Sequence, residues 1–118
     1  MEKKVYIYDT SKGFSSFIKH YYSDKMIIDV CTNKKNFNRN DIQNHDLCFF
    51  MVNDMDDYFN LMKIYTLIQH FFIITTNKII REKINNLNYE DVVFIDFNNS
   101  KPELLEEINY NLMLLGIQ

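Results

Sequence analysis

The sequence predicts an α/β protein built on a doubly wound, five-stranded parallel sheet in the order 2-1-3-4-5, with helices on both faces. Three observations carry this expectation. Five short runs of β-branched and aromatic residues are apolar almost throughout, as strands buried on both faces are. Segments with helical spacing lie between them. Strand starts recur about every 22 residues, the length of a βα unit with short loops, and that alternation implies a parallel sheet covered by helices. Right-handed crossovers then leave few topologies. The common doubly wound solution for five units reverses direction between strands one and three and opens a crevice at their carboxyl ends.

The predicted strands are 4–8 (KVYIY), 26–31 (MIIDVC), 47–52 (LCFFMV), 71–76 (FFIITT) and 92–97 (VVFIDF). The predicted helices are 14–22, a weaker 39–44, then 56–68, 78–87 and 102–117. Gly13 lets the chain turn from the first strand into the first helix. Pro102 suits a first helical turn, Ser100 precedes it as a cap, and Glu103, Glu106 and Glu107 favour the positive end of the helix dipole. Gly116 is placed to stop that helix.

Composition narrows the function classes. The chain has 118 residues, 47% hydrophobic and 15% aromatic, with net charge −3, and is expected to fold as one domain over 1–118. Ten Phe and eight Tyr supply apolar area without metals or cross-links. Cys31 and Cys48 lie in strand-like runs without CxxC spacing, so they read as core residues in a reduced, cytoplasmic setting. No segment approaches the roughly 20 apolar residues of a membrane helix, and no secretory leader is evident. Scattered basic residues and a mildly acidic balance argue against nucleic acid as a partner.

Chemistry is expected at the crevice mouth. Asp9, in Tyr8-Asp9-Thr10-Ser11, ends the first strand; Asn53-Asp54-Met55-Asp56-Asp57 follows the third; Thr75-Thr76 ends the fourth. Asp9 and Asp54 are the candidate ligands of a weakly held cation. Each also has a simpler structural role: Asp9 as the cap of the first helix or its turn, Asp54, Asp56 and Asp57 as an acidic first helical turn, and Thr75 as a backbone acceptor. His20, His45 and His70 lack metal-ligand spacing and read as surface residues.

Taken whole, the chain resembles the receiver domains of bacterial two-component response regulators. KKVYIYDTSKGFSSFIKHYYSD is similar to the receiver's first strand, acidic corner and first helix, HDLCFFMVND to its third strand, and FFIITTN to the strand ending in the switch threonine. The resemblance implies the doubly wound fold and transfer of a phosphoryl group from a partner histidine to an aspartate, with magnesium held by nearby acids. Asp9 matches one member of the acidic pair, and Thr10 stands in place of the other. Counting from Asp46-Leu47 puts Met51 at the acceptor position, whereas counting from Asp9 puts Asn53 or Asp54 there. Thr75 matches the switch residue. Stepping forward from it to the family's lysine reaches Phe97, with Asn98 at the following proline, while Lys101-Pro102 lies several residues late.

Phosphoryl transfer needs a carboxylate nucleophile, a divalent cation and a fixed positive charge. Those requirements are not met together, so the expectation is a degenerate or pseudo-receiver: a stand-alone signalling module, not an enzyme, with no cofactor and at most weak magnesium binding. Two alternatives are a working receiver using Asp54 with Asp9 and a cation partner such as Lys101 or Lys12, and a flavodoxin-like binder of FMN or phosphate through Thr10, Ser11 and Ser15. The last helix carries more apolar surface than one sheet face needs. Tyr110, Met113, Leu114 and Ile117, with Ile79 and Tyr89, are the expected surface for a signalling partner or a homodimer.

Overall fold

The computed structural model describes residues 3–68, 70–87 and 92–116. Five strands, β1 (Lys3–Tyr8), β2 (Met26–Cys31), β3 (Leu47–Met51), β4 (Phe71–Ile74) and β5 (Val92–Ile95), form one parallel sheet in the order β2-β1-β3-β4-β5. The helices are α1 (Gly13–Tyr22), α2 (Met55–Met62), α3 (Lys78–Asn85) and α4 (Lys101–Leu114). The topology expected from the sequence is therefore the one observed.

Strand alternation divides the core into two layers. Val5, Ile7, Leu47, Phe49, Met51, Phe72 and Ile74 pack with Phe14, Phe17 and Ile18 of α1 and Leu104, Ile108 and Leu112 of α4. Tyr6, Tyr8, Cys48, Phe50, Phe71 and Ile73 pack on the other face with Leu61, Ile64, Ile80 and Ile84. Aromatic contacts pin both layers. Tyr8 stacks on Phe50 at 4.2 Å, and Phe49 meets Phe72 edge-on at 4.9 Å. Across the first layer the Tyr22 hydroxyl donates to Asn109 Oδ1 at 2.6 Å and ties α1 to α4, and burial pushes its pKa up to about 12.

The structure corrects the connections. The helix expected over 39–44 is absent: two 3-10 turns, Lys34–Asn36 and Arg39–Ile42, carry the chain from β2 to β3. Asn33 and Asn38 accept hydrogen bonds from the backbone N–H groups of Lys35 and Asn40, and such local side-chain bonds compete with an α-helix. The helix over 56–68 stops at Met62, where Lys63, Ile64 and Leu67 donate to carbonyls three residues back and tighten the chain into turns. Ile64 and Ile68 stay buried even so. The strands at 71–76 and 92–97 end at Ile74 and Ile95, the second at an Asx turn in which Asp96 Oδ1 accepts from Asn98 N. α4 starts as expected, with Ser100 accepting from Glu103 N and Pro102 in its first turn.

Candidate functional site

Register fixes what stands at the crevice mouth. Val5 pairs with Leu47 and Tyr8 with Phe50, so Asp9 is level with Met51. Met51 pairs with Ile74, and Ile74 with Ile95. The row running across the sheet from Asp9 is thus Met51, Ile74 and Ile95, and by alternation it faces α1 and α4. Of the acceptor positions reached by counting, Met51 is the one beside Asp9. Asn53 and Asp54 lie past the end of β3.

Asp9 is fully buried and saturated by its own loop. Its Oδ1 accepts from Ser11 N at 3.0 Å and Ser11 Oγ at 2.6 Å, and its Oδ2 accepts from Ser15 N at 2.8 Å. Ser15 lies in the first turn of α1, where unpaired N–H groups and the helix dipole favour an anion. Lys12, with φ 69°, supplies the left-handed residue that swings the chain into that helix. Ser11 Oγ also sits 3.1 Å from Met51 Sδ, which closes the corner. Both amides that a phosphate cradle would use here are therefore bound to Asp9, and Ser15 Oγ donates to Lys12 O.

The other predicted residues do not converge on Asp9. Thr10 borders a shallow depression with Lys12, Thr32, Asn33 and Lys34. Asp54 caps α2: its Oδ1 accepts from Asp57 N at 3.0 Å, and its Oδ2 pairs with Lys34 Nζ at 3.2 Å. The Asp57 amide first, and Lys34 after it, hold the Asp54 carboxyl below the usual carboxylate range. Thr75 Oγ1 accepts from Asn77 N at 3.1 Å, a local turn bond. Phe97 meets Phe14 of α1 edge-on at 5.4 Å and so brings a ring, not a charge, to the position counted for the lysine. Lys101 lies in the first turn of α4. Among the described residues no lysine, arginine or histidine pairs with Asp9, and no three His, Cys, Asp or Glu side chains form a set that could hold a metal ion.

One carboxylate has a further role beyond its sequence reading. Asp57 lies in the acidic first turn of α2, as expected, and is fully buried. Tyr8 Oη donates to its Oδ1 at 2.7 Å, Asn53 N donates to its Oδ2 at 2.9 Å, and Asn60 Nδ2 donates to Tyr8 Oη at 3.1 Å. Burial, then Asp57, pushes the Tyr8 hydroxyl far above its ordinary range. The sequence signal is the spacing Asp54-x-x-Asp57, a capping box shifted by one residue: Asp54 takes the Asp57 amide, and Asp57 takes the amide of the residue before the cap.

On the far side, Ile79, Tyr110, Met113 and Leu114 are exposed, the last at 62%. They lie on α3 and α4, the helices on either side of edge strand β5. Tyr89 and Ile117, expected on the same surface, lie outside the described residues. No described helix is long and apolar enough to cross a membrane.

Solved receiver structures share this architecture over nearly the whole chain. The CheY-like response regulator receiver domain from Methanospirillum hungatei JF-1 superposes with TM-score 0.68 at 19% identity, covering 95% of this chain and 94% of that one. Vibrio cholerae CheY4 gives 0.70 at 14% identity, covering 95% and 100%. A BeF3-activated DrrB receiver domain gives 0.69 at 15% identity, covering 96% and 99%. At the level of sequence no protein-family model and no curated protein matches the chain. The fold is the receiver fold, and identities this low establish the fold alone.

Proposed function

We propose that this chain is a receiver-type signalling module of the two-component class that works by protein contact, without conventional aspartate phosphorylation. One observation carries the reading. In the row that starts at Asp9, the remaining residues are Met51, Ile74 and Ile95, so no second carboxylate stands beside Asp9 to attack phosphorus or complete a cation site. Asp9 itself is engaged by three donors of its own loop, and none of the described basic residues pairs with it. A transferred phosphoryl group carries charge on three oxygens, which a thioether and two isoleucines cannot neutralise. The module has no enzymatic activity of its own and needs no cofactor.

Contact is assigned to the surface flanking β5, where Tyr110, Met113 and Leu114 of α4 and Ile79 of α3 are exposed. The occupant is a signalling protein or a second copy of the chain. The test of the phosphorylation half is the intact mass after incubation with magnesium and acetyl phosphate. An unchanged mass, beside a control receiver that is labelled, is the expected result. Addition of one phosphoryl group, lost in Asp54→Asn, would establish a working acceptor at Asp54 and overturn the reading.

A further inference from the structure

A separate cavity of about 480 Å³ opens between α1 and α4, outside the crevice. Its walls are aromatic at two places. The Phe97 ring is held by its edge-on contact with Phe14 at 5.4 Å, and the Tyr21 ring leans on Phe17 at 5.0 Å. Both outer rings remain 37% exposed and border the cavity together with Phe17 and Leu104. Gly13 also borders it, and an added Cβ there would meet nothing within 4 Å, so the space is open on the α1 side. Polar groups complete the lining: Ser16 and Asn99 offer oxygen acceptors, the His20 ring stands edge-on to Tyr21 at 4.7 Å, and Lys101 brings an ammonium that pairs with no carboxylate among the described residues.

A concave site of a few hundred Å³ that combines aromatic walls with placed polar groups is a usual form of a small-molecule pocket. We infer that this cavity binds a small planar aromatic acid, its ring against Phe97, Tyr21 and Phe17 and its anionic group at Lys101. The ring contacts supply burial and offset or edge-on stacking. The ammonium selects for negative charge, because it is the one permanently charged group on the wall. By contrast, the groove bounded by Pro102, Leu105, Tyr110 and Met113 is lined, among the described residues, by α4 alone. It suits a protein surface better than a small ligand.

The test titrates 2-naphthoate into 15N-labelled protein, with neutral 2-naphthamide as the charge control. The expected result is saturable shifts at Ser16, Phe17, Tyr21, Asn99 and Lys101. Phe97→Ala should weaken naphthoate binding about tenfold, and Lys101→Gln roughly fivefold, without changing the affinity for naphthamide. Shifts without saturation, shifts centred on Tyr110 and Met113, or unaltered affinity in Phe97→Ala would overturn the site. Equal binding of the acid and the amide, or an unaltered naphthoate affinity in Lys101→Gln, would overturn its preference for an anion.

Discussion

The carboxyl-end corner at Asp9 and the outer face of α4 are opposites in how their chemistry is spent. At the corner, every oxygen of a fully buried carboxylate has a protein donor, and the neighbouring strand ends are apolar. On α4, Tyr110, Met113 and Leu114 are exposed beside a core stripe of Leu104, Ile108 and Leu112 that already covers the sheet. On the proposed function, the difference separates maintenance of the fold from contact with a partner. The polar corner holds β1 to α1, whereas the side chains on the outer face of α4 make no part of the core.

Breaking the corner should cost most. Asp9→Ala removes the acceptor for two backbone amides and a hydroxyl in a buried site, and should destabilise the fold by about 2–4 kcal/mol in denaturant unfolding. If Asp9 instead served a cation, its removal would leave stability unchanged or raise it by relieving an uncompensated buried charge. Tyr8→Phe comes next: it leaves Asp57 Oδ1 without its donor inside the core, at about 1–3 kcal/mol. Asn60→Leu should cost less, since Tyr8 keeps Asp57 as its partner.

Mutations on the opposite face should leave stability nearly untouched. Leu114→Glu, at an exposed position, should change unfolding by less than about 0.5 kcal/mol. It should weaken self-association or partner capture, read by static light scattering at several concentrations. An oligomer that survives Leu114→Glu would remove this face from the account.

The smallest effects are electrostatic. Asp54 has its carboxyl pKa lowered by the Asp57 amide and Lys34, so its contribution is present above the unfolded carboxylate pKa and is lost as pH falls through the lowered folded value. Asp54→Asn should flatten the acid limb of the stability curve slightly, because the pair with Lys34 is exposed. Glu107 behaves oppositely. Burial first, then Asp96, raises its pKa, so stability falls as pH rises from the unfolded to the raised folded value. Glu107→Gln should remove that slope and stabilise the protein a little at neutral pH.

The sheet order and all five strands were legible in the sequence, because continuous apolar runs such as LCFFMV leave little choice for a buried parallel strand. The crossover at 32–46 was not. Its asparagines form Asx turns, a local preference that outweighs weak helical spacing. Asp9 and Asp54 were recognised as the carboxylates at the strand ends, and both also fit the capping roles considered for them. Whether they faced one another depended on the register of β3, which no local pattern specifies and which a shift of one residue would reverse. Asp57 stands in the acidic first turn read for it, but its burial against Tyr8 was not legible, since a run of acids says nothing of which carboxylate turns inward.

The central claim is that the Asp9 corner is complete without a cation or a phosphoryl group. The most direct measurement follows the Ser11 and Ser15 amide resonances while millimolar Mg2+, and then beryllium fluoride, is added. Unmoved resonances are the predicted result, since both amides are already bonded to Asp9. Saturable shifts at Ser11 and Ser15, joined by Thr75, would show a cation drawing Asp9 out of its loop and would contradict the account.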